Sequence, residues 1–392
     1  MPEETSTSWP RRLISIVLPA CVSLVLLELL ARVALLAVNG VLSEPILSPD
    51  ALVERHRARL VDFMEAVDPV TVTDTLLGWR YRAGYAEGSD TINDQGVRAS
   101  GDYPEEPSPD VLRVATFGDS FVYCSEVANP DCWSAQLEAD GQVEVLNYGV
   151  GGYGMDQAYL RYLREGDALD PAMVIIGFAP VDLGRIVNRY RGFVSSNEGP
   201  WFKPRFVESD GELRLLPTPA GSVQEARALL ADVDGLREVG EMDWWYESAV
   251  YESSLYRWSG AARLLTGVWI RLKRRLIDPD RLYDGAIFNE GSTAFRLQLE
   301  VGLMFADSVR ARGAEPVVIL FPSREDVEGS LNGRPASYGP LAEAWRERGL
   351  EVVDPLPLFT RFDGDPGELF APLGHYSRLG YGLIATALAP LE

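Results

Sequence analysis

Hydrophobic and polar positions divide the chain into stretches of different rhythm. From Leu13 to Val38 nearly every position is apolar; residues 13–27 carry no charge, and only Glu28 and Arg32 interrupt the remainder of the run. At 1.5 Å per residue such a helix can cross a hydrocarbon core of roughly 30 Å. Glu28 and Arg32 stand four apart and can pair on one face near the far interface. Arg11 and Arg12 precede the span, which predicts a cytoplasmic N-terminus and a body on the outer side of the membrane. A cleaved signal peptide is the alternative. Leu18-Pro-Ala-Cys21 makes a poor lipoprotein box, because Pro19 fits it badly and the apolar run continues past Cys21.

Residues 41–110 are polar and mixed, with an amphipathic helical stretch at 52–63. His56, in Glu54-Arg-His-Arg57, is expected on its solvated face. From Val111 the rhythm becomes strand, loop, helix. Runs at 111–117, 143–147, 173–178, 316–321 and 350–354 read as strands, and helical patterns at 156–164, 293–312 and 338–348 lie among them. The runs at 173–178 and 316–321 are continuously apolar, as in strands buried on both faces. The pattern predicts an α/β fold of three layers, with a five-stranded parallel sheet between helices. Ligands gather at the carboxyl ends of such strands, and Ser120, Gly152 and Asp182 all follow such ends.

Residues 184–290 break this rhythm and hold Trp201, Trp244, Trp245, Trp258 and Trp269. So long an excursion between core strands is expected to cap the rim. Within it, residues 263–276 form an amphipathic basic helix. It is expected to pack on the cap as a surface helix, with rest on a membrane surface as the alternative. The resulting division is a cytoplasmic stub and anchor at 1–40, a juxtamembrane lead-in at 41–110, and the α/β domain at 111–392 with its cap.

A net charge of -22 argues against a nucleic-acid partner. Three cysteines and two histidines lack zinc-ligand spacing, so neither metal nor cofactor is expected. Cys124 and Cys132, eight apart around a turn-rich loop, would face an oxidising space on the outer side; a disulfide and two free thiols both stay open.

Gly118-Asp-Ser-Phe121 directly follows the 111–117 run. A hydroxyl at a strand-to-helix junction sits beside orphan N–H groups and a positive dipole end, which favour an oxyanion. With two histidines in the chain, the base is nearly forced to be His375, in Gly374-His-Tyr-Ser377. These segments, with Asn147-Tyr-Gly-Val-Gly-Gly152 between them, resemble blocks I, V and II of the SGNH (GDSL-type) hydrolases, in that family's order. Ile92-Asn-Asp-Gln-Gly-Val-Arg98 and Gly154-Met-Asp-Gln157 look like a membrane-anchored bacterial branch of it. The resemblance covers about 78–183 and 293–392, and no G-x-S-x-G elbow occurs. It implies a flavodoxin-like SGNH fold, Ser120 as nucleophile, His375 as base, and the N–H groups of Ser120 and Gly152 as oxyanion donors. The chemistry agrees: serine is a poor nucleophile until an imidazole takes its proton, and Gly152 admits a carbonyl without a Cβ in the way.

Two positions depart from the family's pattern. Val181 stands where block III supplies an asparagine amide, and valine cannot donate; Arg185 and Asn188 are the nearby substitutes. Pro372 stands where the family's acid precedes the histidine, so a backbone carbonyl or a displaced carboxylate, Asp365 or Glu368, is expected to orient His375. Asp182, the second block III residue, is expected to be structural. The expected function is an extracytoplasmic, membrane-anchored serine esterase removing acyl groups from a glycan or lipid-linked substrate. An O-acyltransferase on such a glycan, or a catalytically silent binding protein of the same fold, are its rivals. The sequence does not set the oligomeric state.

Overall fold

The computed structural model describes residues 9–42, 45–64, 70–88 and 90–391. The expected stub at 1–8 lies outside them, as do the side chains of Arg11 and Arg12. The helices that frame the site and its surroundings are α1 (Trp9–Asn39), α2 (Pro49–Met64), α3 (Ser120–Tyr123), α4 (Met155–Glu165), α5 (Ser254–Trp258), α6 (Gly260–Leu272), α7 (Thr293–Ala311), α8 (Gly339–Glu347) and α9 (Arg378–Leu388).

Five parallel strands form the central sheet: β1 (Leu112–Phe117), β2 (Val143–Asn147), β3 (Met173–Phe178), β4 (Glu315–Leu320) and β5 (Glu351–Val353). Their spatial order is β5-β4-β3-β1-β2. Every residue of β3 is buried, which is why its sequence runs apolar without alternation. Helix α7 packs on both α4 and α8, while α9 packs on the short helix Trp133–Leu137. The chain leaves β1 for β2 on one side and then returns to β3 on the other. Their carboxyl ends therefore border the topological switch point, where α/β sheets place their crevice. Trp345 is fully buried, with Nε1 donating to Leu299 O at 3.2 Å and its ring edge-on to Phe178. Burying a ring of this size stabilises by about 2–3 kcal/mol.

The 184–290 segment contains helices and two hairpins, Arg205–Ser209 with Glu212–Leu216 and the shorter Tyr283–Asp284 with Ile287–Phe288. Its own small core joins Tyr190, Phe193, Phe202 and Leu230 to Val53 and Leu60 of α2. His56, expected in solvent, is completely buried there. Val53, His56 and Leu60 lie three and four apart on one helical stripe, so the histidine shares the buried face. Its Nδ1 lies 2.7 Å from Tyr190 Oη. Burial, with Arg59 and Arg55 nearby, lowers its pKa to about 4. A buried pair ties the segment to the sheet layer: Lys203 Nζ donates to Asp156 Oδ2 of α4 at 2.5 Å and to the carbonyls of Arg185 and Asn188 at 3.2 Å.

Within α1, the stretch Leu13–Asn39 is long and apolar enough to cross a membrane, and it is mostly exposed, with Ala31 and Leu35 buried near its end. Cys124 and Cys132 form a disulfide, which decides between the two readings of that pair.

Candidate active site

Ser120 begins α3 immediately after β1. Asp119 caps the helix: its Oδ1 accepts from Phe121 N at 2.8 Å, and its Oδ2 accepts from Arg185 Nη1 at 2.7 Å. Arg185 Nη1 also donates to Asp182 Oδ1 at 3.0 Å and to the Tyr153 carbonyl at 3.0 Å. Asp182 in turn accepts from Ala179 N at 3.0 Å, closing the turn after β3. Burial and the neighbouring Asp119 push the Asp182 carboxyl up to about 8, against the pull of Arg185. Asp182 thus ties the turn after β3 to Arg185.

The glycine-rich turn after β2 is drawn onto α3. Asn147 Nδ2 donates to Val122 O at 2.7 Å, and its Oδ1 accepts from Gly149 N at 3.0 Å. A Cβ on Gly149 would stand 2.3 Å from Tyr123 N, so only glycine permits this approach. Gly152 has φ +80°, a conformation other residues rarely adopt. The preceding residue is held from both ends: Gly151 N donates to Tyr81 Oη at 3.0 Å, and Trp79 Nε1 donates to Gly151 O at 3.1 Å. The amides of Ser120 and Gly152 donate to no protein group among the described residues, so both keep their hydrogen available.

His375 sits in a turn closed by Ala371 N donating to His375 O at 2.8 Å, with Gly374 at φ +101°. Its ring packs on Phe121, the residue after Ser120, with centroids 5.0 Å apart. The group that orients it is neither Asp365 nor Glu368. Asp365 caps its own turn by accepting from Gly367 N at 2.9 Å, and neither carboxylate bonds to the histidine. Instead Glu126 Oε2 accepts from His375 Nδ1 at 2.7 Å and from His375 N at 3.0 Å, while Oε1 accepts from Leu373 N at 2.7 Å. The carboxylate that holds His375 therefore comes from the loop that follows Ser120. Burial raises the Glu126 carboxyl, but the Leu373 amide and the His375 ring and amide outweigh it, and the net shift is downward. An ionised Glu126 has no proton to give, so Nδ1 carries the hydrogen and Nε2 is left as the basic nitrogen. Ser120 and His375 make no hydrogen bond to each other in this structure, so the transfer geometry is not yet closed.

Sequence reading does not find two parts of this arrangement. Glu126 has φ +72°, two residues after Cys124 at φ +64°, in the loop that the Cys124–Cys132 disulfide closes. Buried Arg98 pins that loop, donating to the carbonyls of Tyr123, Cys124 (2.7 Å) and Val127 (2.6 Å) and to Asn129 Oδ1 (2.9 Å). The signals that could reveal them are the 92–98 stretch and a carboxylate inside the cysteine loop.

The two side chains expected to replace an amide at position 181 differ. Asn188 spends its amide hydrogens on Tyr190 O and Asp243 Oδ2, whereas Arg185 commits Nη1 to Asp119, Asp182 and Tyr153 and keeps a buried Nε with no partner among the described residues. Val181 remains partly exposed and lines a cavity of about 470 Å³ with Tyr283, Ser323 and Asp326. A larger cavity, of about 1050 Å³, lies in the 184–290 segment beside α6. Among the described residues, no cluster of His, Cys, Asp and Glu is arranged to hold a metal.

No protein-family model matches the chain, and no curated protein sequence is significantly similar to it. Solved structures resemble it distantly. A member of the lipolytic protein G-D-S-L family from Veillonella parvula is 12% identical, over 72% of this chain and 98% of its own, with a TM-score of 0.32. The acetyl xylan esterase AlAXEase is 12% identical, over 71% and 99%, with a TM-score of 0.34. Axe2, an acetylxylan esterase from Geobacillus stearothermophilus, is 10% identical, over 71% and 93%, with a TM-score of 0.36. Such likenesses concern the fold and reach neither substrate nor residue roles. The chain is an α/β protein with a five-stranded parallel sheet whose structural neighbours include G-D-S-L lipolytic proteins and acetylxylan esterases.

Proposed function

We propose that the protein is a serine esterase, held by α1 on the outer face of a membrane, with 184–290 as the cap of its catalytic domain. The carrying observation is the His375–Glu126 pair packed beside the residue that follows Ser120. Ser120 Oγ attacks the acyl carbonyl as His375 Nε2 takes its proton. The oxyanion accepts from the amides of Ser120 and Gly152. The leaving alkoxide departs with the proton from His375, and water then releases the acyl group by the same steps in reverse. A short acyl group on a carbohydrate or lipid-linked glycan suits an exported cap rich in tryptophan. The long apolar helix and the disulfide support the outer location.

The full chain in detergent, assayed on an aryl acetate, is expected to turn over, and Ser120→Ala and His375→Asn each to abolish turnover. Val181 and the unclosed Ser120–His375 contact favour a second reading, a silent binding protein. Wild-type turnover no faster than that of Ser120→Ala would establish that second reading.

A further inference from the structure

Helix α6 and the turn that continues it wear their apolar stripe on the wrong side for a helix packed on a water-soluble body. Leu265, Val268, Trp269, Leu272 and Leu276 follow one another at helical spacing, and all are exposed. On the other side Arg274 turns inward, donating to Trp245 O at 2.6 Å and Glu247 Oε1 at 3.2 Å, beside the Trp244 and Trp245 rings. A surface helix normally buries its apolar stripe and presents its charges to water. The preceding α5 continues the pattern, with Leu255 and Trp258 exposed by 69% and 71%.

What covers this stripe is indicated by α1. The two charges inside the span are satisfied by these cap helices. Glu28 accepts from Ser259 Oγ at 2.8 Å, Gly260 N at 2.6 Å and Ala261 N at 3.2 Å, satisfying orphan donors at the start of α6. Arg32 Nη2 donates to Trp258 O at 2.8 Å. A Cβ at Gly260 would stand 2.7 Å from Arg32 Cγ, and one at Gly267 would stand 2.9 Å from Ile46 Cδ1. Helix α6 therefore runs alongside α1 in the same direction. Glu28 lies eleven residues before Asn39, roughly 16 Å along the helix axis. If α1 spans a bilayer, the α6 N-terminus is inside it, and Arg271, Lys273 and Arg275 emerge at headgroup level.

We propose that α5 and the outer face of α6 are embedded in the outer leaflet, making the cap a second membrane element clamped to the anchor through Glu28 and Arg32. The occupant of the exposed stripe is lipid. The proposal rests on α1 spanning a membrane and is independent of the esterase chemistry.

The test uses the full chain in phosphatidylcholine–phosphatidylglycerol vesicles, with Cys21→Ser removing its free thiol. An environment-sensitive fluorophore is placed singly at Leu255→Cys, Leu265→Cys, Leu24→Cys or Glu328→Cys. Brominated lipids should quench the first three comparably and leave the fourth bright. Quenching at 24 without quenching at 255 and 265 overturns the proposal, and a 265–265 crosslink would then identify a second copy as the occupant. No quenching at 24 removes the anchor itself and the proposal with it.

Discussion

The Ser120 side and the His375 side of the rim are built by different means. Around Ser120 the geometry is local: an N-cap at Asp119, close backbone approach at Gly149 and a left-handed Gly152 bring two neighbouring strand ends together. Around His375 it is long-range, with the orienting carboxylate 249 residues away in a loop fixed by Arg98 and a disulfide. The Ser120 turn and its amides can thus survive damage that leaves His375 without its carboxylate. Catalytic loss and structural loss should therefore separate on the two sides.

The sharpest break is Glu126→Gln, which should lower turnover about 10³- to 10⁴-fold by releasing the histidine tautomer, with little change in melting temperature. Turnover within a few-fold of wild type would remove Glu126 from the account. Next, Lys203→Met leaves Asp156 buried without its partner. Burial already raises the Asp156 carboxyl and lowers the Lys203 ammonium, each offset by the other. Urea unfolding should show a loss of about 3–5 kcal/mol; a loss too small to measure would mean the pair does not bind the 184–290 segment to α4.

The acid side of the stability profile tests the seam between α2 and the 184–290 segment. Folded His56 stays neutral down to about 4, whereas the unfolded chain takes up that proton near its ordinary pKa of about 6.5. The unfolded state binds more protons between these values, so stability is full above the upper one and falls as pH drops toward the lower, by roughly 3 kcal/mol. His56→Phe should flatten that fall; an unchanged slope would mean that His56 does not cause it. The smallest change concerns the Ser120 side: Val181→Asn restores a side-chain amide at the block III position and should raise turnover by up to about 10²-fold. No rise would show that position 181 does not reach the oxyanion.

Much of this is readable in the chain, and the reasons are physical. The five strands declare themselves because their apolar runs are buried, and Ser120 and Gly152 because short backbone motifs enforce their geometry. Glu126 is hidden because a carboxylate's partner is set by how two distant loops meet, which no spacing encodes. His56 is misplaced because its charged neighbours Arg55 and Arg57 mask the stripe it shares with Val53 and Leu60. The outward face of α6 is obscured because an apolar stripe reads alike whether protein or lipid covers it.

Reaction of the full chain with a fluorophosphonate, followed by peptide mass spectrometry, tests the nucleophile most directly. The account predicts one adduct, on Ser120, formed more slowly in Glu126→Gln. An unmodified chain, or an adduct on any other residue, would contradict it.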